Sequence, residues 1–159
     1  MSMTINQPAV VDGGAFTVRR TIRIAAPLEK VWAAVTEPEH ISQWFGRAVF
    51  DGAGVGARGT LTFEGSGAVP VRVEQIDEHR MIAYRWSNDD ASGRLPDQVE
   101  FEHSTVFTFT LERVADGTQL TVVETGFETL SDPAADLESH RAGWDGELDK
   151  LVALLEGGS

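Results

Sequence analysis

The chain has 159 residues, the length of one domain, and carries 25 Asp and Glu against 13 Lys and Arg, for a net charge of −12. The negative electrostatic potential of such a protein repels nucleic acid and anionic membrane surfaces, so neither is expected as a partner. Cysteine is absent, which excludes disulfides, thiolate catalysis and cysteine-ligated zinc. The sequence has no apolar run of membrane-spanning length and no signal peptide at its N-terminus, so we expect a cytoplasmic location.

The first fifteen residues contain proline and glycine without hydrophobic periodicity, and a flexible lead-in is expected over 1–15. A single domain is expected over 16–156. Apolar and polar residues alternate from Phe16 to Ile24, which predicts a half-buried strand. Helical spacing of apolar residues over 28–36 then predicts a short helix, and a second short helix follows it after Pro38.

The middle of the chain has the composition of a β-sheet. Strands are predicted at 47–51, 58–64, 68–76, 80–87, 99–113 and 117–125. Asp116-Gly117 is the strongest hairpin signal, because Asp-Gly favours a two-residue turn. That turn predicts a register in which Leu111 faces Val122 and Phe109 faces Glu124.

The C-terminal segment predicts one long helix over 133–156. Asp132 is a suitable N-cap, Pro133 suits the first helical position, and Gly157-Gly158 ends the helix. Its apolar residues form a single stripe along one face, made of Leu137, Trp144, Leu148, Leu151, Val152 and Leu155.

Three segments of the sequence resemble a known family. Ile24-Ala-Ala-Pro-Leu-Glu-Lys-Val-Trp32, followed by Thr36-Glu-Pro-Glu-His-Ile-Ser-Gln-Trp-Phe-Gly46, is similar to the start of the family of heat-shock protein 90 ATPase activator homologues. Gly143-Trp144 with the leucines that follow it is similar to the closing helix of that family, and Thr125-Gly126-Phe127 is a third match. The resemblance covers about residues 16–156.

The resemblance implies an α+β fold of the START-like (SRPBCC) helix-grip class. In that fold an antiparallel sheet of about six to seven strands wraps around a long C-terminal helix, and two short helices follow the first strand. Proteins of this class hold a small hydrophobic or aromatic ligand between the sheet and the helix, and the family carries no shared catalytic motif. Binding of such a ligand is the function expected here.

Polar residues on the inward faces of the strands are the candidates for ligand contact. The parity of the strands places Arg20, Tyr84, His103 and Glu124 among apolar neighbours, where an unpaired charge costs several kcal/mol. Either these groups line a pocket, or Arg20 and Glu124 form a structural ion pair. The candidate ligand-binding residues are Arg20, Trp44, Tyr84, His103, Phe107, Phe109, Glu124 and Trp144.

An alternative is a cyclase-like or hydrolase-like enzyme that uses His103 with Glu124 or Tyr84 as its acid–base pair. No catalytic residue is assigned, and the sequence shows no nucleophile motif. The spacing of the histidines predicts no metal site, and Gly52-Ala-Gly-Val-Gly56 opens no helix that could hold phosphate, so neither a metal nor a cofactor is expected.

Two associations with other proteins are also open. The family resemblance is compatible with a chaperone partner. We rank this role below ligand binding, because activation of the chaperone in that family depends on a separate N-terminal domain. The resemblance is also compatible with a homodimer. The long polar connection Ser87–Gln98 is interpreted either as a lid or as an insertion.

Overall fold

The computed structural model describes residues 6–65, 67–89, 96, 98–100 and 103–157. Within this part the strands are β1 (Val10–Asp12), β2 (Thr17–Ile24), β3 (Arg47–Asp51), β4 (Arg58–Phe63), β5 (Gly67–Asp77), β6 (Met81–Trp86), β7 (Thr105–Val114) and β8 (Gly117–Thr125). The helices are α1 (Leu28–Thr36), α2 (Pro38–Ile41) and α3 (Pro133–Gly157), with a 3-10 turn at Phe127–Thr129.

All neighbouring strands pair antiparallel, in the order β1-β2-β8-β7-β6-β5-β4-β3. The long helix α3 packs on the sheet beside β2, and its buried side chains form one stripe: Asp136, Leu137, His140, Trp144, Leu148, Leu151 and Leu155. The N-cap predicted at Asp132 is present, because its Oδ1 accepts the Ala135 N–H at 3.2 Å. The predicted α+β helix-grip fold is confirmed.

The N-terminal segment contains a strand that the sequence pattern did not indicate. Val10 pairs with Arg19, which adds β1 to the sheet and brings the described strands to eight. The Ala9 N–H donates to Oδ1 of Asp145 on α3 at 2.6 Å, so the segment is held to both the sheet and the helix. Regular structure therefore begins before Phe16, where it had been expected to start.

The β7–β8 hairpin has the predicted strands but a different register. Val114 pairs with Gly117, which brings Phe109 opposite Val122 and Phe107 opposite Glu124. The predicted partners were wrong by two residues, because the loop consists of Ala115-Asp116 and leaves Gly117 in the strand. Gly117 has a φ of +150°, and a Cβ there would collide with the Ile24 carbonyl oxygen. A shift of two residues preserves parity, so each side chain still lies on the predicted face.

Strand β7 begins at Thr105, whereas the pattern predicted a strand from residue 99. His103 has a φ of +58°, a left-handed conformation that interrupts the alternation of an extended strand. Residues 101 and 102, which belong to the strand predicted over 99–113, lie outside the described residues, as does most of the Ser87–Gln98 connection.

Candidate ligand-binding site

Glu124 lies at the centre of a buried polar cluster. Strand β8 directs its side chain towards α3, and it has no exposed surface. Its carboxylate accepts hydrogen bonds from Nε1 of Trp86 at 2.9 Å, Nε1 of Trp144 at 2.8 Å and Oγ1 of Thr105 at 2.5 Å. His140 approaches both carboxylate oxygens at 2.9 Å through Nδ1. A carboxylate with this many donors is satisfied without a ligand.

The electrostatics of the cluster favour the ionised carboxylate. Burial by itself raises the pKa of Glu124, but the charge of His140 and the hydrogen bonds from His140, Thr105 and Trp86 outweigh it, and the pKa falls below its ordinary value. Glu124 is therefore a charged group of the protein interior.

Arg20 does not pair with Glu124, so the predicted structural bridge is wrong. Its guanidinium lies 2.8 Å from Oδ1 of Asp149 and 3.5 Å from Oδ1 of Asp145, both on α3. It also donates to the backbone carbonyls of Trp144 and Asp145, at 3.4 and 3.1 Å. The long arginine side chain reaches past the diagonal neighbour Glu124 to the helix, where it meets the carboxylates of Asp145 and Asp149.

His103 is not on the inward face. Its side chain is 57% exposed, and its Nδ1 lies 3.7 Å from Oδ2 of Asp89. The left-handed backbone at this residue turns the side chain away from the interior, which corrects its placement beside Glu124.

Aromatic rings pack the space between the sheet and α3. Phe45 stacks on Trp144 with centroids 5.4 Å apart, and Phe107 lies 5.2 Å from the same indole. Trp44 donates its indole N–H to the Ala34 carbonyl at 2.8 Å, and the Tyr84 hydroxyl donates to the Val35 carbonyl at 2.6 Å. Burial raises the pKa of Tyr84, so this hydroxyl keeps its proton.

A small void lies within this aromatic interior. Its volume is about 10 Å³, room for about one water molecule, and its lining is apolar. The lining residues are Val35, Ile41, Trp44, Phe45, Phe50, Leu61, Tyr84, Phe107 and Phe109.

A larger cleft opens next to the void, between α1, the β3–β4 connection and the β5–β6 hairpin. Its volume is about 180 Å³, and apolar side chains form most of its walls. The lining residues are Trp32, Thr36, Pro38, Phe50, Gly52, Ala53, Gly54, Ala57, Val73, Ile76, Glu78, Ile82 and Tyr84. Phe50 and Tyr84 line both the cleft and the void, so these two rings separate them.

The structure divides the predicted site residues into two groups. Trp44, Tyr84, Phe107 and Phe109 line the small void, and Tyr84 also lines the cleft. The other predicted residues, Arg20, His103, Glu124 and Trp144, line neither of these two spaces. Neither space is lined by a residue of α3, so both lie away from the long helix where the ligand had been expected.

Sequence reasoning missed the partner of Glu124 and the walls of the cleft. His140 lies four residues before Trp144 on α3 and three after Leu137, and that spacing places it on the apolar stripe. The predicted stripe consisted of apolar residues only and did not include His140. The cleft walls come from elements far apart in sequence, such as Trp32 and Val73, and no local pattern brings them together.

Two further features of the described residues bear on the site. They contain no group of three or more His, Asp or Glu residues placed to hold a metal ion. No helix among them is long and apolar enough to cross a membrane.

The antiparallel sheet gripping α3, with the two short helices between β2 and β3, defines a START-like helix-grip protein. Residues 25–156 match the family described as Activator of Hsp90 ATPase homolog 1-like protein, and the chain belongs to that family. No curated protein matches the chain.

Solved structures with the same fold include protein MLL2253 from Mesorhizobium loti, with a TM-score of 0.74 and 28% identity over 90% of this chain and 98% of that one. DynU16, from the dynemicin biosynthetic locus, has a TM-score of 0.72 and 26% identity over 90% of this chain and 48% of that one. The Aha1 dimer from Colwellia psychrerythraea has a TM-score of 0.69 and 21% identity over 90% of this chain and 98% of that one, a likeness of fold.

Proposed function

We propose that the chain binds a small hydrophobic or aromatic molecule in the cleft between α1 and the β3–β4 and β5–β6 hairpins. The observation that carries this proposal is the size and lining of the cleft, about 180 Å³ with mainly apolar walls. An engineered apolar cavity of about 150 Å³ holds benzene, so the cleft has room for at least one aromatic ring. Sites of this kind combine apolar walls with a few polar groups that orient the ligand.

The void behind the cleft supports the same proposal. Phe50 is partly exposed, whereas the Tyr84 hydroxyl is held by the Val35 carbonyl. We propose that a movement of the Phe50 side chain joins the two spaces. A ligand seated in the cleft would then reach the rings of Trp44 and Phe109.

The geometry favours binding over turnover. The enzyme alternative needs His103 together with Glu124 or Tyr84 as an acid–base pair, but His103 is on the surface and Glu124 is fully buried. The Tyr84 hydroxyl already donates its hydrogen bond to a backbone carbonyl. A small-molecule ligand accords with the origin of the similar DynU16 in a biosynthetic locus.

A homodimer of this chain is a separate proposal, supported by the shared fold of the Colwellia psychrerythraea Aha1 dimer. Light scattering coupled to size-exclusion chromatography tests it. If the measured molar mass equals that of one chain at every protein concentration up to about 100 μM, the protein does not form a dimer of micromolar affinity, and the proposal is contradicted.

Ligand binding is tested with a neutral, environment-sensitive naphthalene dye such as prodan. We expect the wild-type protein to bind the dye, with a rise in dye fluorescence, and Ala57→Phe to abolish binding because Ala57 lines the cleft. Val55→Phe is the matched control, since Val55 is 65% exposed in the same connection and lines neither space. If Ala57→Phe does not fold, Thr36→Phe replaces it as the cleft-filling variant, because Thr36 lines the cleft from α1. Equal binding by wild type and a folded cleft-filling variant would overturn the proposal.

A further inference from the structure

The cleft contains a single charged side chain among the residues that line it. Glu78, which directly follows β5, is exposed and has no ion pair within the described part of the chain. No lysine, arginine or histidine is among the lining residues. An anionic ligand would therefore meet an uncompensated carboxylate in this cleft, whereas a cation would neutralise it.

The two hydroxyl groups of the cleft add acceptors. The Thr36 hydroxyl donates to the Trp32 carbonyl at 2.7 Å, and the Tyr84 hydroxyl donates to the Val35 carbonyl at 2.6 Å. Because each hydroxyl has one proton and that proton is committed, both present only lone pairs to a ligand. A ligand that brings N–H donors matches all three oxygen-bearing side chains of the cleft.

Trp32 contributes an aromatic surface to the same cleft. Its ring packs 5.8 Å from the His79 ring at an interplanar angle of 40°, next to Glu78 in sequence. Indole is the aromatic ring that best attracts a cation through its face. An aromatic wall beside an unpaired carboxylate is a combination that favours organic ammonium groups.

We propose that the ligand of this cleft is a small hydrophobic amine that is protonated at neutral pH. This inference rests on the proposed ligand-binding function and adds the charge and donor pattern of the ligand. The apolar part lies among Val73, Ile76 and Ile82, and the ammonium group lies near Glu78 and the Thr36 and Tyr84 hydroxyls. The net charge of −12 favours the approach of a cation from solution.

The test uses three ligands with one ring system: 2-naphthylmethylammonium, 2-naphthylmethanol and 2-naphthoate. Affinities are measured by calorimetry or by quenching of tryptophan fluorescence at low and moderate salt. We expect wild-type protein to prefer the ammonium over the alcohol by about threefold to tenfold, the range of a partly exposed ion pair with a cation–π contact, and to bind the carboxylate most weakly.

Glu78→Gln should lower the preference for the ammonium, because it removes the ion pair and leaves the contacts with Trp32 and the two hydroxyls, and it should leave the affinity for the alcohol unchanged. Asp77→Asn is the matched control, because it removes one carboxylate next in sequence that does not line the cleft and instead lies 3.9 Å from Arg80. We expect it to keep the preference, which separates a local contact from a general effect of net charge.

The outcomes distinguish the two proposals. Binding of the alcohol that Ala57→Phe abolishes, without a preference for the ammonium, would overturn the inference about charge and retain ligand binding. A preference of the same size in wild type and Glu78→Gln would also overturn it. Failure of all three ligands and of the neutral dye to bind would overturn the proposed function together with this inference.

Discussion

The Glu124 carboxylate and the His140 imidazole lie 2.9 Å apart in the interior, with exposed side-chain fractions of 0% and 3%. Nε2 of the same imidazole lies 3.0 Å from the Asn88 carbonyl oxygen, which only accepts hydrogen bonds. Both ring nitrogens therefore donate, and the two residues form a carboxylate–imidazolium ion pair between β8 and α3. The ion pair thus links the sheet to α3.

The first prediction is a loss of stability in acid. Because the pKa of Glu124 is lowered in the folded protein, its stabilising contribution is complete well above the ordinary value of 4.5 and is lost as pH falls through the folded pKa. Urea unfolding from about pH 6 down to about pH 3.5 measures the effect. Glu124→Gln cannot titrate and should show a weaker pH dependence over this range. Equal pH dependence in both proteins would contradict the ionised pair.

The second prediction concerns the ion pair itself. Glu124→Leu should destabilise the protein by about 3–5 kcal/mol, because it leaves the imidazolium and the Trp144 indole N–H without the carboxylate that accepts from them. Glu112 on β7 is exposed, and Glu112→Leu should change the free energy of unfolding by less than about 0.5 kcal/mol. The double variant Glu124→Leu/His140→Leu should lose less free energy of unfolding than the sum of the losses in the two single variants, since the two residues are coupled. Additive losses in urea unfolding would exclude the pair.

Strand parity predicts the side of the sheet on which Glu124 lies, but not its partner. The β2–β8 register sets Glu124 opposite Val18 and Arg20 opposite Val122, so Arg20 is a diagonal neighbour of Glu124. Position in the sheet therefore made Arg20 a reasonable partner. The choice between Arg20 and His140 depends on how α3 docks on the sheet. The spacing of His140 indicates that it is buried, but it does not indicate which strand residue it contacts.

The fold was predictable because its elements are set by short-range patterns. The bounds of β3, β8 and α1 agree with the predicted 47–51, 117–125 and 28–36. The errors fall where backbone conformation departs from those patterns, at the left-handed His103 and at Gly117, where the neighbouring backbone excludes a side chain. The cleft was beyond sequence reasoning because helix α1 and two hairpins form it jointly.

The third prediction tests the grip of α3 on the sheet. Leu148 and Leu151 have no exposed surface, so Leu148→Ala and Leu151→Ala should each cost about 2–5 kcal/mol in the free energy of unfolding. Leu154 on the same helix is only half-buried, and Leu154→Ala should cost clearly less than either. Losses below about 0.5 kcal/mol at both buried positions would contradict the packing of this helix.

The last prediction concerns the N-terminal strand and the arginine that holds it. Arg20 donates from Nε to the Gln7 carbonyl at 2.9 Å, and Asp145 accepts the Ala9 N–H, so the arginine and α3 together hold the segment before β1. Arg20→Met should cost about 1–3 kcal/mol, since it removes the hydrogen bonds and ion pairs of a buried guanidinium with Gln7, Asp145 and Asp149. It should also speed hydrogen exchange at the β1 amides more than elsewhere in the sheet.

Arg19→Met is the matched control for this experiment. Arg19 lies next to Arg20 on β2 but is exposed on the opposite face, so its replacement changes net charge by the same amount without touching α3. We expect it to leave exchange at Val10–Asp12 unchanged. Equal acceleration in both variants would mean that charge alone, and not the contacts of Arg20 with Gln7 and α3, governs the attachment of β1. Unchanged exchange in Arg20→Met would show that pairing with β2 is sufficient to hold the strand.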